Sequence, residues 1–417
     1  MRQANTSSDP RLAAARILCR VEGRGAHAAR LLSDEPPLTR ELVLGTLRWQ
    51  GTLDALLAPS CRRPLASLDP TLRAVLRLGI YEAQRLDTPV PVAVAEAVRV
   101  AKLLAPRAAG LVNAVLRRAV EAAWPDPGDE RVPLALRTSH PEWLVARWRA
   151  LLGEPAARAA LAADQQPAPL ALYAPASEVE ALLEAGCLIE PHPAVAGSWL
   201  VRAGAEHAVA AVRAGRAYAI DPSAVAVARL VPPVDGLTVD LAAAPGGKSL
   251  VLRRERPSAR HLALDRHQGR VALMRRNLGG SRGLAVADAA APPLRPASCA
   301  AVLLDAPCSG TGTLRRHPEI RWRVAPADLP ALAATQRRLA AAAAALLAPA
   351  GVLVYATCSL EPEENAEVVA GLGLEVLRAG TLLADGVTRI ELAGGGAVIV
   401  PGADGDGFTV HALRRPA

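Results

Sequence analysis

Apolar positions recur at three- and four-residue spacing through the first part of the chain. They do so in LAAARILCRVEG (12–23), LRAVLRLGIYEAQRL (72–86) and VAVAEAVRVAKLL (92–104). This is the period of a helix with one buried face, and β-branched alternation is scarce, so residues 9 to about 123 read as helical. WPDPGDERVP (124–133) is a proline-rich, charged linker, and HPEWLVARWRALLG (140–153) reads as one amphipathic helix. The rest of 138–232 is mixed, without a clear period. From 237 short apolar runs alternate with helical segments: LTVDL (237–241), HLALD (261–265), GLAVA (283–287), AAVLLD (300–305), VLVYAT (352–357), GAVIV (396–400) and FTVHAL (408–413). Continuous apolar strands between helices predict a sheet covered on both faces, an α/β doubly wound domain. The expected division is a helical domain over 1–125, a linker and extension over 126–232, and the α/β domain over 233–417.

One stretch tests this reading. LAAAAAALLAPAGVLVYATCSL (339–360) carries no charge. Alanine is a poor membrane residue and PAG interrupts the run, so the pattern predicts a helix ending near Leu347, a turn, and a buried strand rather than a membrane span. The N-terminal segment MRQANTSSDPRLAAARILCR lacks the apolar core of a signal peptide. The six cysteines form neither a C-x-x-C pair nor a zinc-finger spacing, which predicts free thiols, no metal and a cytoplasmic location. Net charge is +8, from 48 basic and 40 acidic residues; all but two of the basic residues are arginine. That excess permits nucleic-acid binding without establishing it.

The chemistry concentrates at predicted strand ends. VDLAAAPGGKSL (239–250) joins the first α/β strand to a helix, and its small residues let the backbone approach a ligand closely. It is neither G-x-G-x-x-G nor a Walker loop, so phosphate binding is not expected. Asp240, Asp265, Asp288 and Asp305 each end a strand. An acid at such a position accepts hydrogen bonds from ribose hydroxyls or a nucleobase, which suggests a nucleoside cofactor without a dominant phosphate; S-adenosylmethionine fits better than NAD. Cys308 in DAPCSGTG (305–312) and Cys358 in YATCSLEPEEN (355–365) fall at the same edge, each followed by serine. Cys19, Cys187 and Cys299 suit a buried apolar role; Cys308 and Cys358 are candidate nucleophiles.

DLAAAPGGKS, DAPCSGTGTLRRHPEIRW and YATCSLEPEENAEVV, in that order, resemble the NOL1/NOP2/Sun family of RNA 5-methylcytosine methyltransferases over roughly 138–417. PVPVAVAEAVRVAKLLAPRAAGLVNAVLRRA (89–119) resembles the RNA-binding NusB domain, a pairing found in the RsmB type that acts on small-subunit rRNA. The resemblance implies a Rossmann-like methyltransferase domain behind an all-α NusB-like domain, with S-adenosylmethionine as cofactor and 16S rRNA or an assembling small subunit as partner. It implies a monomer with no membrane and no metal. By the resemblance Cys358 is the nucleophile, Cys308 assists release, and Asp305 contacts the cytosine edge beside Lys248. Ala242, Ala243, Ala244, Pro245, Gly246, Gly247, Lys248, Asp265, Arg270, Asp288 and Asp305 carry over as cofactor contacts. In RRHPEIRW (315–322) the arginines are candidates for RNA phosphate and Trp322 for stacking, with a solvated loop holding one buried tryptophan as the alternative. The chain departs from the family pattern at Ala242, usually cysteine, and at LALYAP (170–175) and IDPSA (220–224), on the RNA-facing side. A tRNA substrate and a binding factor without turnover are the rival readings.

Overall fold

The structure, a computed structural model, describes residues 9–280 and 282–417. Residues 1–8, with which the leader reading begins, lie outside the described residues. The chain divides into two compact units. One comprises the residues up to Gln166 together with Leu314–Val324; the other comprises Pro167–Thr313 and Ala325–Ala417.

The first unit is helical, as the periodicity predicts: Pro10–Arg24, Pro37–Arg48, Gln50–Leu57, Pro70–Arg85, Val90–Leu104 and Ala109–Ala119 are its main N-terminal helices. Asp9 and Asp69 cap two of them, accepting from Arg11 and Thr71 N–H groups, with proline at the next position in each. Their apolar faces meet in one core that includes Leu42, Leu53, Leu76, Ile80, Val112 and Leu116. A Cβ on Gly45 would lie 2.0 Å from the Tyr81 ring, so only glycine admits that helix contact.

Segment Leu314–Val324 belongs to this unit because of what its side chains hold. Arg321 is fully buried and donates to the carbonyls of Arg48 and Ser139 at 3.3 and 3.0 Å and to those of Asp164 and Leu314 at 3.4 Å. Burial pushes its guanidinium down to about 10, which leaves it charged at neutral pH. Trp322 Nε1 donates to Leu47 O at 2.8 Å, and buried Glu319 accepts from Ala28 N at 3.1 Å. The candidate RNA contacts Arg321 and Trp322 are therefore structural within the helical unit: Arg321 is buried with both terminal guanidinium nitrogens engaged, and Trp322 Nε1 is engaged as well.

The second unit carries two sheets. A four-stranded antiparallel sheet runs β2-β3-β1-β4, with β1 Leu170–Tyr173, β2 Leu188–Pro191, β3 Ser198–Ala203 and β4 Tyr218–Ala219. The larger sheet contains β5 Leu237–Asp240, β6 Arg260–Asp265, β7 Leu284–Val286, β8 Cys299–Asp305, β9 Leu347–Thr357, β10 Glu375–Leu377, β11 Arg389–Glu391, β12 Ala397–Ile399 and β13 Phe408–Arg414. Its order is β11-β12-β13-β9-β8-β5-β6-β7, with β10 also paired to β13; β5 to β9 are parallel and the rest antiparallel. Both faces are covered: Ala301 and Leu303 pack into one core while Val302 and Leu304 pack into another, and Val354 and Tyr355 divide the same way. This period of two explains why the strands read as unbroken apolar runs.

The turn expected at PAG is instead a bulge. Helix Leu329–Leu346 passes directly into β9, whose pairing with β8 skips from Leu347 opposite Cys299 to Val352 opposite Ala301. Ala350 takes a positive φ of 58° there, so the extra residues loop out without ending the strand. Among the described residues no helix is long and apolar enough to cross a membrane.

Candidate active site

The strand order reverses direction between β5 and β8. Loops leaving the carboxyl ends of those neighbouring parallel strands diverge, and a crevice opens between them. After β5 the chain turns through Ala242–Gly246 into helix Gly247–Glu255. Gly246 has φ 103°, and a Cβ there would lie 2.9 Å from Met274 Cγ, so this turn requires glycine.

The crevice encloses about 500 Å³, a size suited to a small organic cofactor. Of the expected residues, Ala242, Ala244, Asp265, Arg270, Asp288, Asp305, Cys308 and Cys358 line it together. Ala243, Pro245, Gly247 and Lys248 line a second pocket of about 130 Å³ that shares Ala242, Ala244 and Asp305 with the first; Gly246 lines neither. Arg270 donates to Ala244 O at 2.6 Å and lies 3.6 Å from Asp265 Oδ2, tying the β5 loop to the end of β6. Asp288 is exposed and accepts from Ala290 N at 2.9 Å. Sequence reasoning missed Leu332, Thr335 and Arg338, which reach the crevice from helix Leu329–Leu346; the polar interruption of its alanine run was the available signal.

Lys248 Nζ donates to Asp305 Oδ2 at 2.6 Å. Burial alone would lower the ammonium, but the charge and hydrogen bond of Asp305 outweigh it and hold Lys248 above its usual range. Nζ also sits 4.9 Å from the ring centroid of Phe408. Cys308 Sγ and Cys358 Sγ lie 3.3 Å apart. The Cys308 thiol is pushed well up by its hydrogen bond to Cys358, then by burial and the charges of Cys358, Glu364 and Asp305. The two sulfurs are within hydrogen-bonding distance, and either can be the donor.

Asp221 of IDPSA caps helix Pro222–Arg229, accepting from Ser223 N at 2.8 Å. Asp240 is buried, accepts from Ser249 Oγ at 2.7 Å and is pushed up to about 7, chiefly by burial, with Asp305 and Asp265 adding to it. The folded chain thus holds a proton on Asp240 that the unfolded chain has lost. Stability should fall as pH rises from about 4 to about 7 and level off above that range. Asp240→Asn keeps the Ser249 bond and removes the charge. The variant is expected to lose this decline and to gain up to about 4 kcal/mol over the parent at pH 8. Urea unfolding at pH 5 and pH 8 checks it; an undiminished decline in the variant contradicts the assignment.

Comparison with known proteins agrees with this architecture. The family profile "16S rRNA methyltransferase RsmB/F" matches residues 227–409, and the NusB family profile matches residues 8–121. The chain is 34% identical to ribosomal RNA small subunit methyltransferase B of Pseudomonas putida, over 87% of this chain and 88% of that one. It is 31% identical to the protein of the same name from Pasteurella multocida, over 85% of each chain. Among solved structures, PH0851 shares the fold at 23% identity with a TM-score of 0.78, over 98% of this chain and 99% of that one.

Proposed function

Since the chain belongs to the 16S rRNA methyltransferase RsmB/F family, we propose that it methylates C5 of a cytidine in small-subunit rRNA through a covalent bond between Cys358 and C6 of the base. The observation that carries this reading is the pair of thiols 3.3 Å apart in the crevice, with the Cys308 thiol pushed up.

The crevice fits S-adenosylmethionine: apolar walls at Leu241, Ala289 and Leu339 and carboxylates at Asp265 and Asp288 suit a nucleoside, without a phosphate-binding motif. Loop 242–248, Asp265, Arg270, Asp288 and Asp305 are the residues to hold it. When bound, S-adenosylmethionine supplies an electrophilic methyl group.

The residues of the chain prepare the acceptor. C5 of cytosine is a poor nucleophile. Addition of the Cys358 thiolate to C6 moves an electron pair toward C5, which can then attack a methyl carbon. Transfer of the C5 proton to a base, Cys308 or solvent water, returns the pair to the C5–C6 bond and expels Cys358 as a thiolate; Cys308 assists that release. Asp305, oriented by Lys248, hydrogen-bonds the cytosine edge and stabilises the adduct. The enzyme acts as a monomer in the cytoplasm, on 16S rRNA or an assembling subunit, and the NusB-like domain helps hold the RNA.

The test is transfer from labelled S-adenosylmethionine to deproteinised small-subunit rRNA and to bulk tRNA in parallel, with the modified nucleoside identified by mass spectrometry. The reading expects 5-methylcytidine in the rRNA alone. Label in tRNA alone moves the substrate, and cofactor binding without turnover on rRNA, tRNA or ribosomal particles makes the chain a binding factor.

A further inference from the structure

Glu364 lies fully buried against the two cysteine-bearing loops, and the reaction above gives it no task. One carboxylate oxygen, Oε1, accepts from Ser309 N at 2.8 Å and from Gln336 Nε2 at 2.9 Å. The other, Oε2, accepts from the hydroxyls of Ser309 and Ser359, both at 2.5 Å. Ser309 follows Cys308 and Ser359 follows Cys358. Gln336 Nε2 also donates to Pro307 O at 2.9 Å. The residues after Cys308 and Cys358 thus converge on one carboxylate, and Gln336 links it to Pro307 before Cys308.

Among the described residues no lysine or arginine pairs with Glu364. A carboxylate removed from water is costly unless its oxygens are satisfied, and here four neutral donor contacts satisfy them. Packing alone needs only volume at this position. A charge held by hydrogen bonds adds stiffness, because charge-assisted bonds are shorter and stronger than neutral ones.

We propose that Glu364 is a positioning residue for the two-thiol reaction: it ties the Cys308 loop to the Cys358 loop and fixes the sulfurs at their 3.3 Å separation. The role rests on the methylation reading, while the tie itself does not. The charge of Glu364 also adds to the Cys358 hydrogen bond and to burial in pushing the Cys308 thiol up.

Glu364→Gln tests the tie in the full-length protein. The amide offers one acceptor oxygen and an NH₂ group to donors that now share two oxygens, so some of them lose their acceptor. Alkylation of each cysteine by iodoacetamide, followed by peptide mass spectrometry across a pH series, reads the thiols without RNA. The Cys308 profile is expected to move to lower pH by about one unit. In steady state kcat is expected to fall by about 100-fold, the scale of a small misplacement of reacting groups, with both KM values near those of the parent. Ser359→Ala is expected to act in the same direction, and its effect combined with Glu364→Gln to be less than additive.

An unchanged Cys308 profile in folded Glu364→Gln overturns the proposal, as does a kcat loss matched by raised KM and lowered thermal stability. If Glu364→Gln does not fold, Ser359→Ala carries both readouts, and an unmoved profile in it has the same consequence. Failure of the alkylation test removes the positioning role and leaves the methylation reading standing. A parent protein that methylates no RNA removes that reading and leaves the thiol measurement intact.

Discussion

Cys358→Ala is expected to lower methyl transfer by roughly 10⁴-fold or more, the scale of losing a covalent nucleophile. Cys308→Ala is expected to lower turnover by a different route, accumulating a protein–RNA adduct that survives denaturation. The asymmetry follows from the roles that the family resemblance implies, and the raised Cys308 thiol agrees with them. The Cys308 thiol is pushed well up by its bond to Cys358, by burial and by nearby negative charge, so it is the poorer source of a thiolate. Cys358 lies 3.3 Å away, within hydrogen-bonding distance. Denaturing gels of both variants with labelled RNA separate the roles: an adduct that accumulates in Cys358→Ala and requires Cys308 reverses the assignment.

Asp305→Asn is the second large effect. The substitution keeps the shape and removes the countercharge of Lys248, only 11% of whose side chain is exposed. Breaking one side of a buried pair strands the other charge. Because 32% of the Asp305 side chain faces solvent, the expected loss is about 2–3 kcal/mol, at or below the low end for fully buried pairs. The pH dependence has a definite sign. In the parent, Lys248 lies above its ordinary 10.5, so the pair's contribution is complete below that value and is lost as pH rises through the folded one. The deficit of the variant should therefore be full at pH 7 and shrink as Lys248 deprotonates in alkali. Lys248→Met in the same chain should recover part of the stability without restoring methyl transfer; denaturant unfolding and the labelled assay read the two separately. A deficit that persists unchanged at high pH would show that shape, not charge, is responsible.

Most of the α/β sheet is legible in the sequence because its central parallel strands β5, β8 and β9 are buried on both faces; these, together with β6, β7, β12 and β13, coincide with apolar runs. The strand-end acids and both candidate cysteines follow from those runs. What escaped did so for physical reasons. β4 has two residues, and β10 and β11 have three each, too short for a period to register. β2 is exposed at three of its four positions, so it carries no apolar signal. The bulge in β9 looks like a turn because PAG is turn chemistry, but β8 continues to pair beyond it. The roles of Arg321 and Trp322 depend on carbonyls more than a hundred positions away in sequence, at Leu47, Arg48, Ser139 and Asp164, which no local pattern reveals. The same holds for Glu364, bonded to Ser309 across 55 positions; the repeated Cys-Ser was its only trace.

The central claim is a covalent bond between Cys358 and cytidine C6, and the most direct measurement traps it. Small-subunit rRNA carrying 5-fluorocytidine cannot lose a proton from C5, so the adduct persists after methyl transfer. Incubation with S-adenosylmethionine, digestion, and mass spectrometry of the cross-linked peptide then identify the sulfur. The account predicts a methylated fluorocytidine on the peptide containing Cys358. The same nucleotide on the peptide containing Cys308, or methylation of unsubstituted rRNA with no trapped peptide from the fluorinated RNA, would contradict it.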